Sequence, residues 1–417
     1  MNKGTFKRTK LACYTAYFTM SSIFSLPPLL FATLQDIYGI SYTLLGTLVL
    51  TNFCTQLTVD LIFTFFTKYF NIKKVVRIMP IITSAGLLIY ALFPHFVPQY
   101  AYLGLIVGTV LFSVSAGLSE VLLSPVIAAI PSDNPQKDMS LLHSLYAFGV
   151  FTVVVVSTLF LRIFGSANWM YLTIFWAILP LAASALFFLS PMPDLETSGE
   201  GDVKGTKRRT AALALCVGSI FFGSCAENAM SNWISTYMEN ALRVDKALGD
   251  ILGMAVFAIL LGIARISYAK YGKNIIRVLI AGMAGAAVCY LVAGFSSGTF
   301  PAFIACAVTG LFTAMLWPGA LIMMEENVPG VGVAAYALMA ASGDLGASVA
   351  PQLLGIVVDS VAASAPAIEL AAQSGLEPEQ IGLKVGMLVT AAFPIIGTAL
   401  LIGASRYFKK QKNRSST

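Results

Sequence analysis

Long apolar runs alternate with short polar breaks along the whole chain. Apolar runs of about 20 residues, each closed by charged residues or by Pro, Gly or Asn, predict twelve membrane-spanning helices. These predicted spans cover residues 11–34, 43–66, 75–94, 100–130, 140–164, 168–190, 211–238, 247–268, 275–296, 300–324, 331–359 and 383–405. Because such runs are too long for the strands of a barrel, the predicted fold class is an all-α membrane protein.

A polar segment divides the twelve spans into two sets of six. This predicts an N-terminal six-helix half at residues 1–190, a linker at 191–210 and a C-terminal six-helix half at 211–417. A weak internal repeat agrees with two related halves, since a glycine precedes a proline by eight residues in both the fourth and the tenth span.

The positions of Lys and Arg predict the orientation in the membrane. With the N-terminus inside, 21 of the 26 basic residues lie in the segments on that side. Because basic residues gather in cytoplasmic loops, both termini and the linker are predicted to be cytoplasmic. The first apolar run is too long for a signal peptide, and the short loops without organellar signals indicate a bacterial inner membrane.

Composition excludes several classes of protein. Charged residues make up 11% of the chain, against about 25% in soluble proteins, and the mean hydropathy is +0.80. The net charge of +6 sits in loops, so no nucleic-acid partner is expected. The six cysteines lie inside apolar runs at no ligand spacing, which indicates packing rather than a disulfide, a metal or a cofactor. Motifs for nucleotide hydrolysis and common hydrolases are missing, so no enzyme is predicted.

Glu120 is the leading candidate for a functional residue. An ionised carboxylate at membrane depth costs at least about 2.5 kcal/mol and usually faces a partner or a water-filled cavity. Burial favours the protonated form, so such an acid can load and release a proton as its exposure changes. The alternative is a protonated glutamate that only joins two helices by a hydrogen bond. Pro125, five residues later, loosens the helix near the acid.

Two further residues are candidates for proton coupling. Asp60 heads a stripe with Asn52 and Gln56 at four-residue steps, and it either couples to a cation or pairs with Arg265 or with polar groups of another helix. His143 lies within the fifth span, and its unperturbed pKa near 6.5 suits a proton relay. The alternative for His143 is a packing residue.

The seventh span carries a polar stripe suited to substrate binding. Carboxylate, hydroxyl and amide groups beside aromatic rings are what a sugar requires, since its hydroxyls form hydrogen bonds and its C–H faces stack on rings. The alternative is hydrogen bonding between helices. The predicted contacts are Glu227, Asn228, Ser231, Asn232 and Trp233.

Three residues of the second half have predicted supporting roles. Trp317, just before Pro318, either stacks on the substrate or packs against a neighbouring helix. Asp344 lies among glycines and a serine that allow close helix approach, which favours gating over substrate binding. Arg265 is predicted to join a salt bridge that closes the inner side in one state and opens in the other.

The whole plan resembles the major facilitator superfamily. Twelve spans are divided by a basic linker, and basic loops follow spans two and eight. After span eight, Gly262, Arg265 and the segment 270–273 are similar to the superfamily's loop motif. The loop after span two, residues 67–74, lacks the acid and the glycine of that motif.

Scattered motifs resemble the fucose-galactose-glucose proton symporter (fucose permease-like) family. Glu120 and Pro125 stand at the spacing of that family's fourth-helix motif, Glu227 with segment 233–237 matches the seventh, and segment 343–346 matches the eleventh. The first helix departs from the pattern, with Ser25-Leu26-Pro27-Pro28 where the family has an aspartate.

The residues and the resemblance together lead to one expectation. The chain is predicted to be a secondary transporter that carries a sugar or similar small polar solute with a proton by alternating access, as a monomer in the lipid bilayer. Sodium in place of the proton stays open. Alternatives are a proton-coupled exporter of amphipathic or drug-like compounds, and a non-transporting solute receptor, for which the linker and the tail leave no room for a signalling domain.

Overall fold

The protein is built from α-helices, as the hydrophobic pattern predicts. A computed structural model describes residues 6–66, 69–133, 135–193, 207–328 and 333–415. A helix satisfies its own backbone N–H and C=O groups, which is the requirement at a depth where no water is available to bond them. Most of the predicted linker, residues 194–206, lies outside the described part of the chain.

Six long helices correspond to the first six predicted spans. Gly39, at φ 64°, ends the first helix in the left-handed conformation that glycine adopts readily, and its N–H donates to the carbonyl of Gln35. Asn71 caps the third helix, because its side chain accepts from the N–H of Lys74 at 3.1 Å. The helices are α1 (Lys7–Tyr38), α2 (Tyr42–Phe66), α3 (Ile72–Phe96), α4 (Ala101–Ala128), α5 (Pro135–Phe164) and α6 (Trp169–Phe188).

The second half of the chain is more interrupted. Two π-helical segments, Tyr237–Ala241 and Gly249–Ala255, follow α7 and precede α9. The α-helices are α7 (Lys207–Thr236), α8 (Lys246–Leu248), α9 (Val256–Tyr271), α10 (Ile275–Phe295), α11 (Thr299–Thr313), α12 (Leu316–Asn327), α13 (Val333–Ala362), α14 (Ala365–Ser374), α15 (Pro378–Thr390) and α16 (Ala392–Ser415).

The predicted all-α membrane fold is confirmed. In the described ranges, eleven helical stretches are long and apolar enough to cross a membrane, and the shorter apolar helix Phe148–Phe164 lies within the predicted fifth span. These stretches agree with the twelve predicted spans. A short helix that the hydrophobic pattern does not predict, α14, lies between α13 and α15.

Two predicted spans are each divided into two helices. The tenth breaks at Ala314, between α11 and α12, and the twelfth breaks at Ala391, between α15 and α16. Pro318 follows the first break by four residues and Pro394 follows the second by three. Proline donates no N–H to the carbonyl four residues earlier and its ring crowds that carbonyl, so the helix is interrupted there.

The chain divides into two compact units, and α2 contributes to both. The first unit comprises residues 1–40 and 51–199, and the second comprises 41–50 and 200–417. Within the second unit, Asp359 of α13 accepts hydrogen bonds from the backbone N–H of Tyr42 at 3.1 Å and of Thr43 at 2.6 Å. The carboxylate of Asp359 therefore caps the first turn of α2 from another helix.

Helices within each unit pack closely. In the first unit α3 lies along α4 and α6, and in the second α13 lies along α7 and α15. Lipid tails are as apolar as leucine, so close packing and interhelical hydrogen bonds hold such helices together. Small residues at the crossings are therefore structural requirements.

Replacing Gly310 by alanine is expected to destabilise the protein by about 1–3 kcal/mol, the usual cost of overpacking. A Cβ at position 310 on α11 would lie 2.2 Å from the carbonyl oxygen of Phe257 on α9, so the two backbones would have to separate. Gly262→Ala is the matched control, because nothing lies within 4 Å of its Cβ position and alanine favours the helix by up to about 1 kcal/mol. Thermal unfolding of purified protein measures both. An unchanged melting temperature in Gly310→Ala would contradict the observed close approach.

Candidate functional site

Glu120 lies in the C-terminal third of α4, eight residues before the helix ends. Its side chain is exposed, although Ser119 and Leu122 beside it are buried. The exposed apolar stripe of α4 includes Leu103 and Val107. At about 100° per residue, Glu120 lies roughly 100° or more around the helix from both. Glu120 therefore projects from a different side of α4 than Leu103 and Val107.

The first unit brings the predicted acids Glu120 and Asp60 close to each other. The charge of Glu120 acts on Asp60 of α2 and on the hydroxyl of Tyr17 of α1, and Tyr17 also interacts with Tyr146 of α5. The two acids and Tyr17 therefore belong to one group of polar side chains contributed by α1, α2 and α4. No sequence pattern had singled out Tyr17. The side chain of His143, on α5, lies outside the described residues, and its relay role stays a prediction.

The rest of the predicted stripe on α2 forms a hydrogen-bonded network. The amide N–H of Gln56 donates to Oδ1 of Asn52 at 3.1 Å, and the hydroxyl of Ser113 on α4 donates to the same oxygen at 2.6 Å. All three side chains are buried. The bond from Ser113 to Asn52 joins α2 to α4 about two turns before Asp60, and it therefore positions the helix that carries this acid.

In the second unit Glu227 of α7 pairs with Arg265 of α9. Nη2 of Arg265 lies 3.5 Å from Oε1 of Glu227, and the two side chains are 39% and 20% exposed. The sequence predicts different roles for these two residues and offers Asp60 as one possible partner of Arg265. Among the described residues, the buried Oε2 of Glu227 has no hydrogen-bond partner. Buried acceptors are nearly always bonded in proteins, so Oε2 is the unsatisfied acceptor of this pair among the described residues.

A helix break provides the second contact of Arg265. Nε of Arg265 donates to the carbonyl oxygen of Ala314 at 2.9 Å. In an unbroken helix this carbonyl would accept from the N–H of residue 318, which is proline and has none. Pro318 therefore leaves free the acceptor that holds the guanidinium beside Glu227.

The amides of the α7 stripe bond to their own helix. Asn228 donates from Nδ2 to the carbonyl of Ser224 at 3.1 Å, and Asn232 donates to the carbonyl of Asn228 at 2.8 Å. The hydroxyl of Ser231 donates to the same Asn228 carbonyl at 3.3 Å. These bonds fix the rotamers of the side chains. The stripe is thus preorganised along α7, beginning at Glu227.

The two tryptophans and Asp344 lie in packed surroundings. Trp233 is fully buried, and its Nε1–H donates to the carbonyl of Pro351 at 3.0 Å. The ring of Trp317 is half-buried and lies against Gly343 of α13, where a Cβ would be 2.3 Å from it. Asp344, the next residue, is also buried. Their predicted substrate and gating roles stay predictions.

Sequence reasoning missed a charged cluster that joins the end of α7, α8 and the two π-helical segments beside them. Nζ of Lys246 lies 3.1 Å from Oε2 of Glu239 and 3.7 Å from Oδ2 of Asp250, and Ser235 donates to Asp250. The four-residue spacing of Lys246 and Asp250 was the available signal, since residues at i and i+4 share a helix face. No three His, Cys, Asp or Glu side chains in the described ranges are grouped to hold a metal ion.

Three solved structures share this arrangement of helices. A bacterial homologue of the human lysosomal transporter Spinster, inward-facing and unoccupied, has a TM-score of 0.75 at 14% identity, over 98% of this chain and 99% of that one. A D-xylose–proton symporter has a TM-score of 0.72 at 13% identity, and the match covers 94% of this chain and 97% of that one. The E. coli fucose:proton symporter has a TM-score of 0.55 at 14% identity, and the match covers 94% of this chain and 99% of that one. Identities this low show a common fold, and the predicted fucose permease-like subfamily is not established by them.

Comparison of the sequence with family models identifies the family directly. No curated protein sequence matches the chain. The model of the Major Facilitator Superfamily matches residues 12–351, well over half of the chain. This chain therefore belongs to the Major Facilitator Superfamily.

Proposed function

We propose that this chain is a secondary active transporter that imports a sugar or a similarly small polar solute together with a proton. Membership of a superfamily of transporters supports transport rather than catalysis. In this proposal the two halves, residues 1–190 and 211–417, work by alternating access and are joined by the linker 191–210. The protein acts as a monomer in a bacterial inner membrane with both termini in the cytoplasm.

The observation that carries the proposal is the exposed Glu120 beside Asp60. A carboxyl inside a membrane-spanning helix is costly unless it has a use there. An accessible carboxyl can exchange a proton with water, and the charge of Glu120 acts on the neighbouring Asp60. We assign Glu120 as the proton carrier, with Asp60 as its partner and His143 as a relay.

The α7 stripe supports a polyhydroxylated substrate. Sugar hydroxyls both donate and accept hydrogen bonds, and a carboxylate with an adjacent guanidinium offers both kinds of partner. Glu227 provides the unbonded acceptor Oε2, and Arg265 provides N–H donors from a partly exposed side chain. Asn228, Ser231 and Asn232 extend the polar surface along the same helix.

The same residues suggest how substrate binding is linked to gating. A hydroxyl that donates to Oε2 of Glu227 shares the charge of the carboxylate that Arg265 contacts through Oε1, which weakens their 3.5 Å contact. Arg265 and Asp344 are the proposed gating residues, and Trp317 follows them because its ring rests on Gly343, next to Asp344. Trp233 holds α7 against α13 through its bond to Pro351.

The similar structures do not decide the choice of a sugar. Two of them are described as symporters of D-xylose or fucose with protons, and another as a nucleoside transporter. Since their identities to this chain are 13–14%, they support the fold alone. The proposed substrate class rests on the side chains of α7.

Uptake into proteoliposomes is the experiment that tests the proposal. Purified protein is reconstituted, a panel of labelled monosaccharides and nucleosides is offered, and a proton gradient is imposed with an alkaline interior. At least one sugar is expected to accumulate above its external concentration, and a protonophore is expected to abolish the accumulation. A sodium gradient and protein-free liposomes are the controls.

Two results would overturn the proposal. If accumulation survives the protonophore and follows the sodium gradient, the coupling ion is sodium and not the proton. Absence of transport for every sugar, with proton-driven movement of amphipathic compounds out of the vesicles, would instead establish the exporter.

A further inference from the structure

A groove on the surface of the first unit plays no part in the proposed transport. It is lined by α2, α3 and α4 and has a volume of about 650 Å³, in the range of about 300–1,000 Å³ typical of ligand sites. Its walls are apolar and include Ile62, Ile78, Ile82 and Val114. Ile62 and Ile78 are among the exposed large hydrophobic side chains of the protein. The groove is therefore open to the surroundings of the helices.

One end of the groove is basic. Asn71 and Lys74 line it there, at the first turn of α3, and the side chain of Lys74 is exposed. Lys74 is the basic residue of the lining, and the first turn of α3 holds no acid. The N-terminus of a helix adds the partial positive charge of its backbone N–H groups. This end of the groove thus complements an anion.

The apolar walls continue from the basic end along the helices. Ile78 and Ile82 follow Lys74 by four and eight residues on α3. At about 1.5 Å per residue, the wall extends roughly 12 Å beyond the lysine. A ligand that fits both parts has an anionic head and an apolar tail. Membrane lipids meet this description, and anionic ones are concentrated in the cytoplasmic leaflet, the side predicted for this loop.

We propose that this groove binds an anionic phospholipid of the surrounding membrane. Its phosphate lies at Lys74 and the N-terminus of α3, and one acyl chain lies along Ile78, Ile82 and Val114. The proposal uses no residue of the transport site and does not depend on the proposed function.

Native mass spectrometry of the purified full-length protein tests this site, with phosphatidylglycerol and phosphatidylcholine as probes. Phosphatidylglycerol is expected to be retained in preference to phosphatidylcholine. Lys74→Gln is expected to weaken phosphatidylglycerol binding about fivefold, which corresponds to about 1 kcal/mol for one basic residue near an anionic surface. Ile78→Trp, which fills the groove, is expected to remove binding of both lipids. Lys273→Gln, at an exposed lysine after α9, is the matched control and should retain wild-type binding.

Three results would overturn the proposal. The first is equal retention of the two lipids by the wild type. The second is undiminished phosphatidylglycerol binding in both groove variants. The third is a loss of phosphatidylglycerol binding in Lys273→Gln as large as that in Lys74→Gln. Stable dimers that Ile78→Trp dissociates in lipid-free detergent would assign the groove to a second copy of the chain. Because both groove substitutions are at exposed side chains, thermal unfolding should show that the variants remain folded.

Discussion

Proton-driven accumulation of substrate is expected to disappear in the Glu120→Gln variant, while exchange of labelled for unlabelled substrate across the membrane continues. Glutamine keeps the shape and polarity of a protonated glutamate but never releases a proton. The variant therefore behaves as a permanently loaded carrier, which shuttles with substrate but returns poorly without it. Uptake is expected to fall from concentrative to the level of equilibration, and exchange is expected to lose its dependence on pH. Parallel uptake and counterflow assays in proteoliposomes measure the two activities.

Two further variants make the Glu120 result specific. Asp60→Asn removes the neighbouring charge but leaves the carrier acid, so it should shift the pH dependence of uptake without abolishing accumulation. Glu326→Gln, at an exposed acid of α12, is the control and should leave uptake unchanged. Concentrative uptake by Glu120→Gln would remove Glu120 from the coupling role.

Breaking the Glu227–Arg265 pair is expected to have the second large effect. A fully buried pair costs about 3–5 kcal/mol to break, and solvent screening of the 39%-exposed Arg265 reduces the expected cost to about 1–3 kcal/mol. Arg265→Gln should lower the free energy of unfolding more than Glu227→Gln, because it leaves the less exposed carboxylate without a counter-charge. The double variant with both substitutions should be more stable than Arg265→Gln alone, because neither charge is then left unpaired. Thermal unfolding with and without a transported sugar measures stability and binding, and Glu227→Gln should remove the stabilisation by the sugar.

A surface pair in the same unit is the matched control. Arg243 and Glu377 lie 3.9 Å apart with side chains 61% and 64% exposed. Exposed pairs contribute about 0–1 kcal/mol, so Arg243→Gln should barely change the melting temperature. Equal effects at Arg243 and Arg265 would show that the Glu227 pair is no stronger than a surface contact.

The fold was predictable from hydropathy because bilayer thickness imposes a minimum length on every spanning helix. Hydropathy averages over about 19 residues and therefore does not register a single missing hydrogen bond. The break at Ala314 depends on one N–H that Pro318 lacks. The proline was visible in the sequence, but its effect on the carbonyl four residues earlier appears only once the helix is built.

The candidate acids were predictable for a different reason. Glu120 and Glu227 stand in apolar runs, where an ionisable group is conspicuous from its cost alone. Their partners were not predictable, because helices far apart in sequence carry them. The sequence leaves Asp60 open between several partners, and no pattern in it marks Lys246 as a member of a charged cluster. In the structure Lys246 has a side chain only 15% exposed and two carboxylates within 4 Å.

The backbone contact of Arg265 determines which position of the ion pair carries the positive charge. A guanidinium at position 265 donates to the carbonyl oxygen of Ala314, whereas a carboxylate there would face that oxygen with no proton to offer. Exchanging the charges of positions 227 and 265 would keep the sum of charges and lose this bond. The proline at 318 thus restricts which side chain α9 can carry at 265, although the two residues lie in different helices. The substitutions that position 265 tolerates therefore depend on the amide hydrogen that Pro318 lacks.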